Sequence, residues 1–571
     1  MIRRRLFKRR HRNIEIDPDE IFMDSSNIPQ FDQQQFEGRL EQPISKSNAT
    51  LLGLAFLCIG IIFAWKVSIL QISKGTYYVE VSEKNSLKGD PIFADRGVIF
   101  DRNNVELAWN VVNPSDDEYL LRQYIDQPGF SNLVGYVSYP SKDNTGHFWQ
   151  TEYIGKDGIE EKYNEMLSGQ NGKKLFETDA RGNVHSVSGL TPPVPGENAV
   201  LSIDARLQAK MFESIRYLAE RAGYRGGAGL IMDVYTGELL VATTYPEYSS
   251  KVMTDGTDKQ AVQNLLLDTK GKPFLFRAVT GAYTPGSIVK PFVSIGALNE
   301  GIVDPNKSFL STGQLVIPNP YNPEMDSIFR DWKKEGHGYT DMRKGLAESV
   351  NTYFYIIGGG YKDQKGLGIH GINKYAQMFG IGSAKTGVDI DGEKVGNVPS
   401  VEWKAKLFPG DPWRLGDTYH TAIGQYGFQV TPIQMLRAIA GIATRGTLVT
   451  PHVLKDIDSS KLAKTTLDIP SSKYTPVQEG MRMVVTAGTA QSLNIPEVHV
   501  AAKTGTAQVG VSKSQINSWA IGFFPYEHPR YAFTVLMESS PSTNKTGAAN
   551  AIADLLKWMA IYSPEYLNDS N

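Results

Sequence analysis

Apolar residues recur along the chain with three different patterns. From Leu51 to Trp65 the run is apolar without a charge, and Val67 to Ile72 continues it past Lys66. A stretch of that length crosses a bilayer if Lys66 lies near the outer edge and its amine reaches the interface. Farther on, Leu207, Met211, Ile215 and Leu218 fall at the spacing of a helix with one buried face. Residues 229–234 and 238–242, separated by Tyr235-Thr-Gly, read as a hairpin. A second hairpin is predicted at residues 518–524 and 531–537, with another strand candidate at 498–502. Helical and loop-rich sequence fills the middle. Strands at both ends of a helical middle predict an α+β domain whose sheet joins the two ends of its sequence.

Charge gives the apolar run a direction. Residues 1–12 carry seven Arg or Lys, and an acidic polar stretch follows. The basic side of a span stays cytoplasmic, which places everything after about residue 73 outside. A cleaved signal peptide fits less well, because the apolar run is long and no small-residue cleavage site follows it. The chain of 571 residues is too long for one ordinary core. The expected organisation is a basic and polar cytoplasmic tail (1–48), a transmembrane helix (49–72), an irregular first region rich in Gly and Pro (73–198), and the α+β domain (199–571). The formal net charge of -2 gives no sign of nucleic-acid binding. Cys58 is the only cysteine, so no internal disulfide can form, and that count fits either side of the membrane.

Three short patterns carry candidate chemistry, and each occurs more than once. S-x-x-K occurs at Ser287/Lys290 and Ser542/Lys545; S-x-N at Ser25, Ser349 and Ser542; K-T-G at Lys385, Lys503 and Lys545. Context separates them. Pro291 fits a helix only in its first turn, so a helix must begin close to Ser287. That puts Ser287 and Lys290 on one face at a helix N-terminus, where backbone N–H groups lack intrahelical partners and favour a developing oxyanion. A serine needs a base to become a nucleophile, and a lysine with a lowered pKa can be that base. Ser349 and Asn351 precede a largely apolar helical stretch; the hydroxyl can relay a proton and the amide can bind a peptide backbone. Lys503-Thr504-Gly505-Thr506 follows an apolar strand-like run. There Lys503 and Gly505 share a face, and the glycine leaves room for a substrate backbone to add as a strand. Lys503 supplies a cation near Lys290 or Ser349, and Thr504 and Thr506 suit a terminal carboxylate. The copies at Lys385 and Lys545 lie in loop-like sequence.

Taken in that order and context, the chain resembles the class B penicillin-binding proteins over roughly residues 50–560. Motifs outside the site carry the resemblance further. The segment Asp95-Arg-Gly-Val-Ile-Phe-Asp-Arg-Asn-Asn-Val-Glu-Leu-Ala108 is similar to the family's pedestal motif, with Asn104 where glycine is usual; Asn also tolerates positive φ. Gly158-Ile-Glu160 with Tyr163, Leu167 and Gly169, Ser202–Gln208, and Thr431-Pro-Ile-Gln434 resemble further family elements. Residues 329–338, together with Gly424-Gln-Tyr426, resemble the elongation branch more than the division branch. Some relatives in that branch hold zinc with residues matching Asp331, His337 and a cysteine in the middle of S-x-N. Here that position is Val350, so no metal or other cofactor is expected, and a structural loop hydrogen bond is the preferred role for Asp331 and His337.

The resemblance implies a fold and a mechanism. The fold is a serine β-lactamase-like transpeptidase domain, its antiparallel sheet flanked by helices, with an N-terminal pedestal and a single membrane helix. Ser287 is expected to attack the penultimate carbonyl of a D-Ala-D-Ala stem peptide, with Lys290, Ser349, Asn351 and Lys503 as its catalytic partners. The N–H groups of Ser287 and Thr506 are the expected oxyanion hole, and Thr504, Gly505 and Thr506 the substrate edge. A stem-peptide amine then resolves the acyl-enzyme. β-Lactams would acylate the same serine, and a SEDS-type membrane glycan polymerase is the implied partner. A D,D-carboxypeptidase or β-lactamase on the same fold, and a catalytically silent scaffold or sensor, are the alternatives.

Overall fold

The computed structural model describes residues 46–74, 87–114, 118–144, 146–178, 184–319, 321–382, 384–455, 457, 462–510 and 512–568. Most of the basic tail (residues 1–45) lies outside them.

Helix α1 (Lys46–Ser68) ends in a single π turn, Ile69–Ser73. Its portion Thr50–Ser68 is long and apolar enough to cross a membrane, and Leu51, Phe56, Ile62 and Trp65 are all exposed along it. A row of uncovered large apolar side chains is unfavourable in water and matched to lipid. The described residues divide into two units, one up to Lys88 and one from Gly89 onward.

The second unit contains a four-stranded sheet in the order Ala199–Val200, Ile99–Phe100, Glu106–Val111, Leu121–Tyr124. The first pair is parallel and ties residues 199–200 to the strand Ile99–Phe100, although a long helix begins only five residues later at Ala205. Asn104 turns the Ile99–Phe100 strand back with φ 63. The Asp101 carboxylate accepts the N–H groups of Asn103 and Val105 at 2.7 and 2.8 Å, closing that turn. Beside the sheet, Glu160 takes Arg96 Nε at 2.6 Å on one oxygen and Arg122 Nε at 2.7 Å on the other; all three side chains are fully buried. The arginine of the R-G motif and the glutamate of the G-x-E motif thus meet in one charge cluster.

The α+β part begins with α2 (Ala205–Ala222), capped by Asp204, whose carboxylate accepts the N–H groups of Arg206 and Leu207, and ended by Gly223 in the left-handed region. β1 (Gly226–Asp233) and β2 (Leu239–Tyr245) form the first hairpin. The helical middle contributes α3 (Lys290–Asn299), α4 (Asn351–Gly359) and α5 (Pro432–Ala443). β3 (Ala501–Val509), β4 (Gln515–Phe524), β5 (Tyr531–Pro541) and α6 (Ala548–Tyr562) close the chain. The sheet order is β2-β1-β5-β4-β3, antiparallel throughout, so β5 joins the C-terminal strands to β1.

Alternation along β5 shows how the sheet is buried on both faces. Phe533, Val535 and Met537 pack with Leu207, Met211 and Ile215 of α2 and with Ile552, Leu555 and Met559 of α6. Ala532 and Leu536 face the other way, into the core with Met435 and Ile439 of α5. β3 is the edge strand: β4 pairs along one side of it and, among the described residues, no strand pairs along the other. The sequence places a strand at 498–502; the ladder instead begins at Ala501 and carries the whole K-T-G segment.

Candidate active site

Ser287 sits on a 3₁₀ turn, Gly286–Val289, that leads directly into α3. Pro291 occupies the first turn of α3, where its missing N–H costs no helix bond. The Lys290 backbone N–H donates to Ser287 O, which keeps the two side chains on one turn. Gly286 has φ +60, and a Cβ there would stand 2.8 Å from Thr506 O. The same turn is held from outside. Gly286 N donates to Gly424 O at 2.9 Å, Tyr283 exchanges backbone bonds with Val430, and Trp519 Nε1 on β4 donates to Thr284 O at 3.0 Å. Sequence reasoning missed this bracing by Gly424 and Trp519; the only local sign was a glycine standing immediately before the candidate serine.

Lys290 is fully buried while Ser287 is partly exposed. Its Nζ lies 2.8 Å from Ser349 O, 3.2 Å from Ser349 Oγ and 2.8 Å from Asn351 Oδ1. It also stands 5.1 Å from the centre of the Phe354 ring. Ser349 has φ +54, a left-handed conformation that a non-glycine residue adopts at a cost. That bend turns both its carbonyl and its hydroxyl toward Lys290, and α4 starting at Asn351 fixes the amide beside them. Burial, and secondarily the Lys503 ammonium, hold Lys290 well below the usual lysine range, with Asp331 pulling it partly back. Lys503 is itself pushed down to about 7 by burial.

On β3, Lys503 is fully buried and its Nζ donates to Thr504 O at 2.8 Å. Thr504 is half-buried, with its hydroxyl 2.5 Å from Thr489 Oγ1, and Thr506 is exposed. Gly505 corrects one expectation about this strand. A Cβ there would meet Pro285 O at 2.8 Å and Ile288 Cγ2 at 2.9 Å. The absent side chain makes room for the Ser287 turn, not for an incoming substrate. The closeness of Thr506 O to Gly286 has a further consequence. In a strand, N–H and C=O of one residue point to the same side. The Thr506 N–H therefore also points off the free edge, toward the turn that carries Ser287.

Asp331 and His337 lie beside this cluster. Asp331 Oδ2 accepts from Thr352 N at 2.9 Å and Thr352 Oγ1 at 3.0 Å; Oδ1 accepts from Trp332 N at 2.8 Å. It thus caps the N-terminus of α4 from a distant loop. His337 Nδ1 is 2.6 Å from Glu348 Oε2, and Nε2 is 3.6 Å from Asp331 Oδ1. Val350 is fully buried and apolar. Two donors, one already used as a helix cap, and an isopropyl group where a thiolate would stand do not fit a four-coordinate zinc ion. Among the described residues, no group of three or more His, Cys, Asp or Glu is arranged to hold a metal. The other K-T-G copies fall elsewhere: Thr386 N donates to Glu393 in a loop, and residues 545–547 form the loop before α6.

Comparison with known proteins gives the family and the fold. Residues 227–557 match the penicillin-binding protein transpeptidase domain, and residues 117–201 match the penicillin-binding protein dimerisation domain. The chain belongs to the class B penicillin-binding protein family. It is 31% identical to the peptidoglycan D,D-transpeptidase MrdA of Haemophilus influenzae, over 76% of this chain and 69% of that one. Identity to the protein of the same name from Escherichia coli is 28%, over 90% and 93% of the two chains. Among solved structures, PBP2 of Helicobacter pylori in its complex with MreC superposes with a TM-score of 0.69 at 28% identity, covering 85% of this chain and all of that one. Pseudomonas aeruginosa PBP2 in complex with WCK 5153 gives 0.69 at 29% identity, covering 84% and 99%.

Proposed function

We propose that this chain, a peptidoglycan D,D-transpeptidase of the elongation branch and a penicillin target, works through an acyl-enzyme on Ser287. The single observation that carries this reading is the buried Lys290 amine on the turn of Ser287, met by Ser349 and Asn351. Ser349 O and Asn351 Oδ1 can only accept. A neutral amine gives them its two N–H bonds and keeps its lone pair for a hydroxyl. Burial and the Lys503 charge favour that neutral form. Lys290 then takes the Ser287 proton as the oxygen attacks the penultimate carbonyl of a D-Ala-D-Ala stem peptide. The N–H groups of Ser287 and Thr506 receive the oxyanion. The donor peptide lies along the free edge of β3, with its terminal carboxylate on Thr504 and Thr506. The proton returns through Lys290 and Ser349 to the departing D-Ala. An amine of a neighbouring stem peptide then attacks the ester, forming the cross-link and releasing Ser287.

The same reading assigns residues 73–198 to a pedestal and 199–571 to the catalytic domain. The basic tail lies in the cytoplasm and the catalytic domain outside, because lysine and arginine remain on the cytoplasmic side of a span. A SEDS-type glycan polymerase is the partner we propose for the membrane helix and pedestal. The test is a product assay with the full-length protein, a thioester stem-peptide donor and an amine acceptor. Amide product supports transpeptidation. Free acid alone, at saturating acceptor, would make the protein a carboxypeptidase-type hydrolase.

A further inference from the structure

Trp332 is an exposed aromatic residue that is nevertheless held in place. It is 59% exposed, yet its Nε1 donates to Glu348 O at 3.1 Å and its backbone N donates to Asp331. Its ring meets His337 edge-on at 5.3 Å, and His337 is itself tied to Glu348. The residue after Glu348 is Ser349, whose hydroxyl contacts Lys290. The indole is therefore fixed at the rim of the site, immediately beside the proton-relay serine. Lys333 and Lys334, both exposed, follow it, with Glu335 as the only carboxylate in that tetrapeptide. A large apolar surface left open to water but locked in one orientation is preorganised for a ligand.

Transpeptidation needs two substrates, and the donor has its place along β3. The attacking amine must reach the acyl carbonyl from the side that β3 leaves open, where Ser349 can take its proton. We propose that Trp332, with Lys333 and Lys334, is the docking platform for the acceptor strand: the indole face stacks on a pyranose ring, and the two amines meet stem-peptide carboxylates. This rests on the acyl-enzyme reading above and extends it to the second substrate. The chemistry fits both parts of that ligand. The C–H face of a sugar is attracted to an electron-rich ring, and exposed ammonium groups complement a carboxylate-bearing peptide.

The experiment uses full-length protein, the thioester donor and three acceptors: a disaccharide-linked stem peptide, the bare stem peptide and free D-amino acid. Penicillin acylation is measured in parallel. For Trp332→Ala the acylation rate is expected to stay within about twofold of wild type, while KM for the disaccharide acceptor rises roughly five- to tenfold. Free D-amino acid, which is too small to reach the platform, is expected to be used equally by both proteins. Trp332→Phe keeps a ring but loses the bond to Glu348, and it is expected to retain most of the disaccharide preference. An unchanged KM for all acceptors would overturn the proposal. So would a parallel fall in acylation and transfer, or a Phe variant as impaired as the Ala variant, since either would make Trp332 a brace for Ser349. Failure of wild type to be acylated at all would instead sink the Ser287 reading.

Discussion

Replacing Glu160 by glutamine removes one negative charge from between two buried guanidiniums. Glu160 holds Arg96 at 2.6 Å and Arg122 at 2.7 Å, and none of the three side chains is exposed. The remaining partners of Arg96 are neutral: Ser168 Oγ, Glu160 O and Asn164 Oδ1. Arg122 reaches Asn110 Oδ1 at 2.9 Å, and its Nη2 has no partner among the described residues. A glutamine is the same size, but its amide turns an N–H₂ group toward one arginine, donor against donor. Breaking a buried pair in this way costs about 3–5 kcal/mol, because the surviving charges stay buried. The strands Glu106–Val111 and Leu121–Tyr124 hold Asn110 and Arg122 of this cluster, so their local opening should respond. At roughly tenfold per 1.4 kcal/mol, their amides are expected to exchange about 140- to 3,700-fold faster, with the β5 amides as an unchanged reference. Burial alone would raise the Glu160 carboxyl; the two guanidiniums outweigh it and hold it below the usual carboxylate range. The stabilisation is therefore present above the unfolded value of about 4.3 and is lost as pH falls through the lower folded value. The difference between wild type and variant should shrink in acid. A change of less than about fivefold in these strand amides at neutral pH would refute the reading that the Arg96–Glu160–Arg122 charge cluster holds the two strands.

Three further outcomes are expected. Lys290→Met and Lys290→Arg should each lower the penicillin acylation rate by about 10²- to 10⁴-fold, since neither can take the Ser287 proton; stopped-flow acylation checks this, and the wild-type rate should rise with pH through a midpoint below the ordinary lysine range. Gly505→Ala should slow acylation by about tenfold or more and also lower thermal stability, by about 1–3 kcal/mol, because the new methyl must displace Pro285 O or Ile288 on the Ser287 turn. Glu247 accepts the N–H groups of Gly129 and Ser131 at 2.6 and 2.9 Å, and burial raises its carboxyl to about 7. Its folded value lies above its unfolded one, so its contribution is fully present below about 4.3 and is lost as pH rises to about 7. Glu247→Gln should flatten stability against pH across that window in denaturant titrations.

Much of this architecture was legible from residues alone, for physical reasons that differ by element. The helical spacing of Leu207, Met211, Ile215 and Leu218 foretold α2, since one face of it is buried against the sheet. Both hairpins were legible because the turn residues at 235–237 and 525–530 interrupt otherwise apolar runs. Pro291 located the start of α3, since proline tolerates only the first helical turn. What sequence could not give is long-range contact. The left-handed bend at Ser349 is set by bonds from Lys290, 59 residues away. The cap on α4 comes from Asp331, 21 residues away from Thr352. The role of Gly505 was misread because the strand's neighbour is the Ser287 turn, which no local pattern reveals. The choice among three K-T-G copies did rest on a local cue, the apolar run before Lys503, and that copy lies on the free edge of the sheet.

The central claim is that Ser287 is the residue that carries the acyl group. The most direct measurement is the intact mass of the full-length protein after incubation with penicillin, beside Ser287→Ala. The expected result is one penicilloyl adduct per wild-type chain, located by peptide mapping on the segment that contains Ser287, and none on the variant. An adduct that survives in Ser287→Ala, or one that maps to Ser542, would contradict it.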